Sequence, residues 1–570
     1  MPTPRPTQRL ARPFVLSLAL ALTTAASAAH AESNAPALEM TRKDRLAVLY
    51  SNQVIFDRKG EPLVSIRVMD GQDKVRFSSR GRLTLLPSAD DGARILTPPG
   101  ASWTVTVEQA TPGRVRWWVA AERLPAGDLT AAGRSRTRWQ KAGHEVAVFE
   151  SGALLGIAGR TLDTRSLTLA IDPRATAAEA EAHAEALAGE AAVLGEVIAE
   201  SVQRPGGWIV ARDDRTGLEI RARDLLWVTP TAGASIDVPE VEYGRGTARH
   251  GRADRRYAGE IYLAVGNDGR LAVVNLANAE ALLEAVVPSE MPAAMPEEAL
   301  KAQAVAARGQ LLAKVGTRHR SDPYLLCADT HCQVYGGETR EHARTTAAVR
   351  DTRGQLLFDE RGLVDTVYSS CCGGHGEAFD QMWGGSAAPA LLGALDVPNR
   401  QSPSAGQSPV GPAEDAVARF IDAPPKGAFC ETTGRKSGLF RWTAERAGTE
   451  VSAAVNRLAP IGPVHTITVA RRGRSGRALA VKYVGPKGEY VHKGEYANRK
   501  LLGHLKSGLW VVRREGPAGA APARWTFEGG GHGHGVGMCQ HGAIGQALQG
   551  RTFDQILEHS YPGGRLEKAW

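Results

Sequence analysis

Apolar and polar residues alternate in short runs over much of the N-terminal half, and glycine, proline or charged turn residues close each run. Residues 64–68, 75–77, 83–86, 103–107 and 115–119 carry this period of two, which predicts strands and a small β-rich domain over residues 32–160. The pattern then changes. A strand is expected at 167–171, an alanine- and glutamate-rich helix at 175–189, and strands at 197–199, 208–210 and 218–220, so residues 161–240 read as a small α/β unit. Residues 232–255 mix glycine, proline and charge without periodicity and read as a linker or crossover.

From Tyr257 the signals sharpen. Runs at 261–265 and 271–274 flank Asn267-Asp268-Gly269, a hairpin with a turn-type Asp-Gly at its tip. A helix is expected from Ala277 to about Val287, because Pro288 disfavours helix for its predecessor. A second begins at Pro296, with Glu297 and Glu298 in the first turn, where carboxylates complement the dipole. Its many alanines suit close packing. Lys301 and Arg308 lie on it about two turns apart, so they project on nearly the same side and can face one anionic or hydroxyl-rich ligand. The expected class is a multidomain α+β chain whose last domain spans residues 241–570.

At 570 residues the chain is long enough for roughly three or four domains. With 43% hydrophobic and 23% charged residues it is an ordinary globular composition, which excludes disordered, collagen-like and polytopic membrane classes. The net charge of +8 favours an anionic polymer without implying nucleic acid. Arg5, Arg9 and Arg12, the apolar run 14–22 and Ala29-His30-Ala31 form a secretory signal over residues 1–31 with a cleavage site before Glu32. That run falls short of the about 20 residues a membrane span needs, and no cysteine precedes Cys327 to take a lipid. The expectation is an exported protein of the periplasm, cell wall or extracellular space, with no membrane span once the signal is removed.

Candidate chemistry lies in the C-terminal half. Pro288-Ser289-Glu290-Met291-Pro292 holds a single carboxylate between two prolines. Stiff backbone suits a general acid, and a solvated loop glutamate or a helix cap fits the same stretch. His319, Cys327, His331 and Cys332 are a tetrahedral zinc donor set; alternatively Cys327 and Cys332 close a disulfide loop or remain free thiols. Tyr368-Ser369-Ser370-Cys371-Cys372-Gly373-Gly374-His375 follows the strand-like run 363–367, so polar side chains, Ser370 among them, sit with neighbouring backbone amides on a glycine turn suited to substrate. Metal binding is open to the vicinal cysteines beside His375, whereas a Cys–His nucleophile there lacks an orienting Asn or Asp. Residues 529–543 are rich in glycine and histidine but lack the Gly-Lys-Ser/Thr ending of a phosphate loop. They read as a close-packed turn that sets His534 and Gln540 beside a ligand, with a helix from Ala543.

Six blocks in order over residues 257–561 resemble the stage II sporulation protein D family, also called the amidase enhancer family. They are Val287-Pro288-Ser289-Glu290-Met291-Pro292, the run from Glu298 to Arg308, His331-Cys332-Gln333-Val334-Tyr335, Ser369-Ser370-Cys371-Cys372-Gly373-Gly374, Gly533-His534-Gly535-Val536-Gly537-Met538 and Tyr561-Pro562-Gly563. The resemblance implies an α+β domain acting on peptidoglycan glycan strands, either as a lytic transglycosylase or as a non-enzymatic wall-binding enhancer of an amidase. It implies Glu290 as the catalytic acid and places Lys301 and Arg308 where family positions line the substrate groove. Gln333, Tyr335, Ser370, His534 and Gln540 are the further substrate-contact candidates. Such a reaction needs no cofactor, because one carboxyl group can protonate the glycosidic oxygen and then deprotonate the sugar's own 6-hydroxyl. A hydrolase would usually need a second carboxylate about 5–10 Å away, and none stands out in the sequence. Zinc at His319, Cys327, His331 and Cys332, as in some relatives, would be structural. The chain departs from the family where it has Gly309-Gln310 for Thr-Tyr and Cys539-Gln540-His541-Gly542 for Ser-Gln-Tyr-Gly.

Overall fold

The computed structural model describes residues 49–570, apart from 52, 88–93, 158–159, 188–193, 195, 246–249, 330, 386, 399–409, 411–412 and 518. The expected signal segment lies outside the described residues. Strand accounts for 38% and helix for 25%, so the class is mixed α+β.

An eight-stranded sheet runs in the order Ile55–Phe56, Pro62–Gln72, Leu271–Asn278, Glu260–Val265, Leu225–Pro230, Leu83–Leu86, Ile95–Leu96, with Leu326–Cys327 added parallel to Pro62–Gln72. A six-stranded sheet is ordered Glu219–Arg223, Gly206–Asp213, Ser102–Thr111, Lys74–Ser78, Ile236–Tyr243, Gly251–Tyr257. The alternation seen in the sequence explains how they combine. Val64, Ile66, Val68, Ile261, Leu263 and Val265 turn to a core shared with Val75, Phe77, Trp103, Val105, Ile209 and Ala211 of the second sheet. Trp227, Tyr262, Ala264 and Val274 point the other way into a cluster of their own. Each large apolar side chain so buried contributes about 1.5–3 kcal/mol.

The first sheet takes strands from either side of both expected domain boundaries, residues 160 and 240. Antiparallel pairing sets Val274 opposite Arg67, so ladder partners far apart in sequence override the local division. Within the expected linker 232–255, Ile236–Tyr243 pairs with Gly251–Tyr257 as a strand pair. A register shift between Val238 and Val241, with Glu240 at φ 53°, breaks the period of two and hides the strand in the sequence. A further four-stranded sheet, Val197–Gln203, Arg114–Pro125, Ser166–Arg174 and Val146–Ser151, carries two helices. One, Ala177–Leu187, was expected. The other, Leu129–Lys141, interrupts the β-rich region and starts where Asp128 Oδ1 accepts the Ala131 N–H at 2.8 Å.

Asn278 ends the strand Leu271–Asn278 and caps the helix Ala279–Glu290, its side chain accepting the Glu280 N–H at 2.8 Å. Pro288 lies inside this helix and does not end it, because in the last turn its missing N–H forfeits only one bond. Glu290 is therefore the final residue of a helix and not a loop residue. The helix Glu297–Lys314 then runs against four others: Ala279–Glu290, Ala343–Asp351, Gln540–Leu548 and Phe553–Ser560. Fully buried Ala299, Ala302, Ala304, Ala306 and Ala307 allow that approach. At Gly309 an added Cβ would lie 2.3 Å from Thr366 Oγ1, so this close approach requires glycine.

Between residues 370 and 538 the chain makes an excursion with its own core of Trp442, Trp510, Trp525, Phe527 and Tyr483. It departs from and returns to the parallel strand pair Tyr368–Ser369 and Met538–Cys539. The glycine-rich return is tightly seated: Gly537 has φ 70°, and a Cβ there would lie 1.9 Å from the Val367 carbonyl oxygen. Among the described residues no helix is long and apolar enough to cross a membrane.

Candidate active site

Glu290 closes its helix half-buried, and three distant pieces of chain meet its carboxyl group. The Val334 N–H and the Tyr368 hydroxyl donate to it, and Lys314 faces it. Burial pushes its pKa above the ordinary glutamate range, although the lysine and the two donors pull the other way. A carboxyl whose protonated form is favoured by burial, while it retains donors for its anion, suits acid and then base chemistry.

The main chain of Glu290 is held as well. Gln540, at the start of its helix, donates from Nε2 to the Glu290 carbonyl at 3.1 Å and to Gln303 Oε1 at 3.1 Å. Gln540 is thus a positioning residue. His534 Nδ1 accepts the Val536 N–H at 3.0 Å, and its ring bonds to the Tyr368 carbonyl. Burial, with Arg477 nearby, lowers its pKa to about 3, so it is a neutral imidazole with its proton on Nε2. The ring of Trp383, 36% exposed, lies 5.0 Å from that of His534 and 4.9 Å from Phe379. Ser370 is half-buried, and its carbonyl accepts the His541 N–H at 3.0 Å.

Four expected groove residues are placed elsewhere. Arg308 is fully buried and pairs with Glu280 through Nε at 2.9 Å and Nη2 at 2.7 Å. Lys301 pairs with Glu297 at 2.6 Å and lies 3.5 Å from Asp351. The two share a helix face, as their spacing predicts, but that face meets protein. Gln333, buried, donates to the Ala307 carbonyl and Gln310 Oε1, and the buried Tyr335 hydroxyl donates to Asn275. Between them it is the Val334 backbone amide that reaches Glu290.

Tyr368, Gln303, Lys314 and Trp383 are the site groups that sequence reasoning passed over. The glycine turn after Tyr368 was a usable signal, since a polar aromatic at a strand end before such a turn is well placed to face a site. Asp365 is a second carboxyl that sequence reasoning missed: burial pushes its pKa to about 6, opposed by Lys314 and Arg318.

The His319, Cys327, His331 and Cys332 donor atoms all lie within 4.8 Å of one another. Cys327 and Cys332 Sγ are 3.1 Å apart, unbonded, and Cys332 Sγ is 3.4 Å from His319 Nε2. Asp322 Oδ2, 3.1 Å from His319 Nδ1, holds the ring proton there and leaves Nε2 free toward the sulfurs. His331 presents Nδ1 at 3.6 Å from both sulfurs. Two sulfurs and two imidazole nitrogens at this separation fit one tetrahedral ion. Arg318 Nη1, 2.7 Å from His331 Nε2, requires that nitrogen as acceptor, so this contact and metal at Nδ1 exclude each other. The site lies beside Glu290's supports, because Lys314 Nζ donates to the Cys332 carbonyl at 2.6 Å and Val334 follows two residues later.

A helix-borne acid, a strand-end tyrosine and a glycine-rich return loop define the class of this region, and residues 267–358 match the family described as Stage II sporulation protein, SpoIID. The chain carries a SpoIID-family domain. Residues 377–537, most of the excursion, match a domain of unknown function, DUF8618. The amidase enhancer of Bacillus subtilis (strain 168) is 29% identical over 301 residues, covering 50% of this chain and 40% of that protein. Stage II sporulation protein D of the same strain is 26% identical over 352 residues, 59% of this chain and 88% of that protein. An uncharacterized protein of Brachyspira hyodysenteriae is 26% identical over 312 residues, 54% of this chain and 71% of that protein. This chain therefore spans well under half the length of the amidase enhancer it matches.

Proposed function

We propose that the chain is an exported peptidoglycan-remodelling protein that cleaves glycan strands as a lytic transglycosylase. The observation that carries the reading is the half-buried Glu290, its pKa raised by burial and its carboxyl held by Tyr368 and Val334. Protonated Glu290 gives its proton to the glycosidic oxygen as the bond to C1 breaks. The resulting carboxylate then takes the proton of the sugar's 6-hydroxyl while O6 bonds to C1, which leaves a 1,6-anhydro ring and restores the acid. Exposed Trp383 offers an aromatic face for a sugar ring beside this centre. The test is mass spectrometry of glycan products from the purified protein, where anhydro-muramyl ends support the reading and their absence opposes it.

The acid form starts the reaction, so cleavage is retained below the pKa of Glu290 and falls as pH rises through it. In Tyr368→Phe the carboxylate loses a donor that favours its charged form, so the pKa moves up. The falling limb of the pH–rate profile is expected at higher pH than in the parent protein, and a limb that moves down would contradict the assigned hydrogen bond.

A structural zinc at His319, Cys327, His331 and Cys332 belongs to the same reading, since four protein donors leave no open position for chemistry. It would tie down the loop that delivers Val334. Chelation is expected to lower Tm by several degrees while reducing cleavage per folded molecule far less than Glu290→Gln does. Metal analysis with thiol counting checks it: zinc-free protein with a Cys327–Cys332 disulfide ends this part of the proposal.

The amidase enhancer relative favours a second reading, a non-enzymatic wall-binding enhancer of a cell-wall amidase. Stimulation of an amidase by protein that yields no anhydro ends would select it.

A further inference from the structure

The remaining four cysteines converge at the point where the excursion joins the domain. Cys371 and Cys372 stand at its very start, Cys430 comes from deeper within it and Cys539 follows it. Cys372 Sγ is 3.5 Å from Cys430 Sγ and 3.4 Å from Asp396 Oδ2. The donor atoms of Cys372, Asp396, Cys430 and Cys539 all lie within 4.8 Å of one another, and all four residues are buried. Buried Cys371 lies beside the Cys430 and Cys539 sulfurs as well.

The surroundings are those of an anionic donor set. Cys539 Sγ accepts the N–H groups of Cys372 at 3.1 Å and Gly542 at 3.2 Å. Asp396 Oδ2 accepts the Cys430 N–H at 3.2 Å, and its Oδ1 faces His559 Nε2 at 3.3 Å, both side chains buried. Backbone amides aimed at sulfur, and an imidazole orienting a carboxylate, are the outer supports that metal ligands recruit.

Three uses compete. A nucleophile needs an orienting base and a reachable sulfur, and all four of these cysteines are buried. Two disulfides would draw the sulfurs into separate pairs, whereas here three sulfurs and a carboxylate oxygen share one centre. A four-coordinate zinc with Zn–S bonds of about 2.3 Å sets its donors about 3.8 Å apart, close to the observed 3.5 Å. The geometry points to a second metal site, in which the thiolates of Cys372, Cys430 and Cys539 and the carboxylate of Asp396 hold one zinc ion, with Cys371 alongside. Thiolates select zinc over the hard cations calcium and magnesium. With four protein donors filling a tetrahedral shell, the ion is structural. It fastens both flanks of the excursion to Cys430 inside it, and so secures the strand pair that delivers Tyr368 and Gln540 to Glu290.

The test uses the full exported chain purified without chelator, with zinc read by elemental mass spectrometry and thiols by alkylation of the denatured protein. Cys430→Ser is expected to lose one zinc per chain, Cys332→Ser to leave that equivalent in place, and cobalt-loaded protein to show weaker thiolate-to-cobalt charge transfer in Cys430→Ser than in the parent. Where Cys430→Ser does not accumulate, Asp396→Asn serves, with faster zinc loss to a competing chelator than in the parent. Full zinc retention in Cys430→Ser, a parent-like rate of zinc loss to the chelator in Asp396→Asn, or disulfides among Cys371, Cys372, Cys430 and Cys539 in the purified chain overturns the proposal. None of these readouts depends on glycan cleavage.

Discussion

Glu290→Gln is expected to leave a folded protein that no longer cleaves glycan strands, with a loss of ~10²–10⁴ in rate. The amide keeps the shape of the carboxyl group, and its oxygen can still accept from the Val334 amide or the Tyr368 hydroxyl. It cannot give a proton to the glycosidic oxygen. Stability should change little, because burial already disfavours the charged form of Glu290 and a neutral group at this place is well tolerated. The comparison to make is release of anhydro-ended fragments against Tm, with glycan pull-down as the binding control. Parent-like release from the variant would remove Glu290 from the chemistry and leave the enhancer reading. Lost release together with a collapsed Tm would instead make Glu290 a structural residue.

Arg308→Ala should behave in the opposite way, unfolding the protein more easily without touching glycan affinity. The Arg308 guanidinium spends its donors on both Glu280 oxygens, on the Val349 carbonyl at 3.2 Å and on the Gln355 carbonyl at 3.3 Å. Glu280 in turn accepts from the Gly354 N–H and from Trp570 Nε1, each at 3.0 Å, so the pair ties two helices to the C-terminal end. Truncating the arginine strands a buried carboxylate, which costs about 3–5 kcal/mol. Urea unfolding measures that loss, and removing Glu280 in the same protein should recover part of it. A variant of parent-like stability with weakened glycan binding would return Arg308 to the groove.

The contrast between these two residues marks what a sequence can carry. Periodicity located the strands around Val64, Trp103 and Ile261, the hairpin tip at Asp268-Gly269 and the alanine-rich helix that holds Arg308, because each depends on neighbours a few positions away. The same locality brought His319, Cys327, His331 and Cys332 into view as one donor group. Where a bulge at Glu240 altered the spacing, the strand vanished from the pattern. Where a proline fell in a last turn, a helix residue looked like a loop residue.

By itself the sequence determined which residue types were on hand: one acid at Glu290, a cation two turns along from Lys301, six cysteines, and glycines able to turn back sharply. Only the tertiary structure decided their use. Arg308, Gln333 and Tyr335 became interior because helices and strands from elsewhere in the chain cover them, and Tyr368 and Val334 reached Glu290 because a parallel strand pair and the stretch that follows Cys332 deliver them there. Cys372 and Cys539 stand 167 residues apart and meet through an N–H to sulfur bond. Burial, and with it the pKa of a carboxyl or the fate of a thiol, depends on what arrives from elsewhere in the chain, and a local pattern holds no record of that.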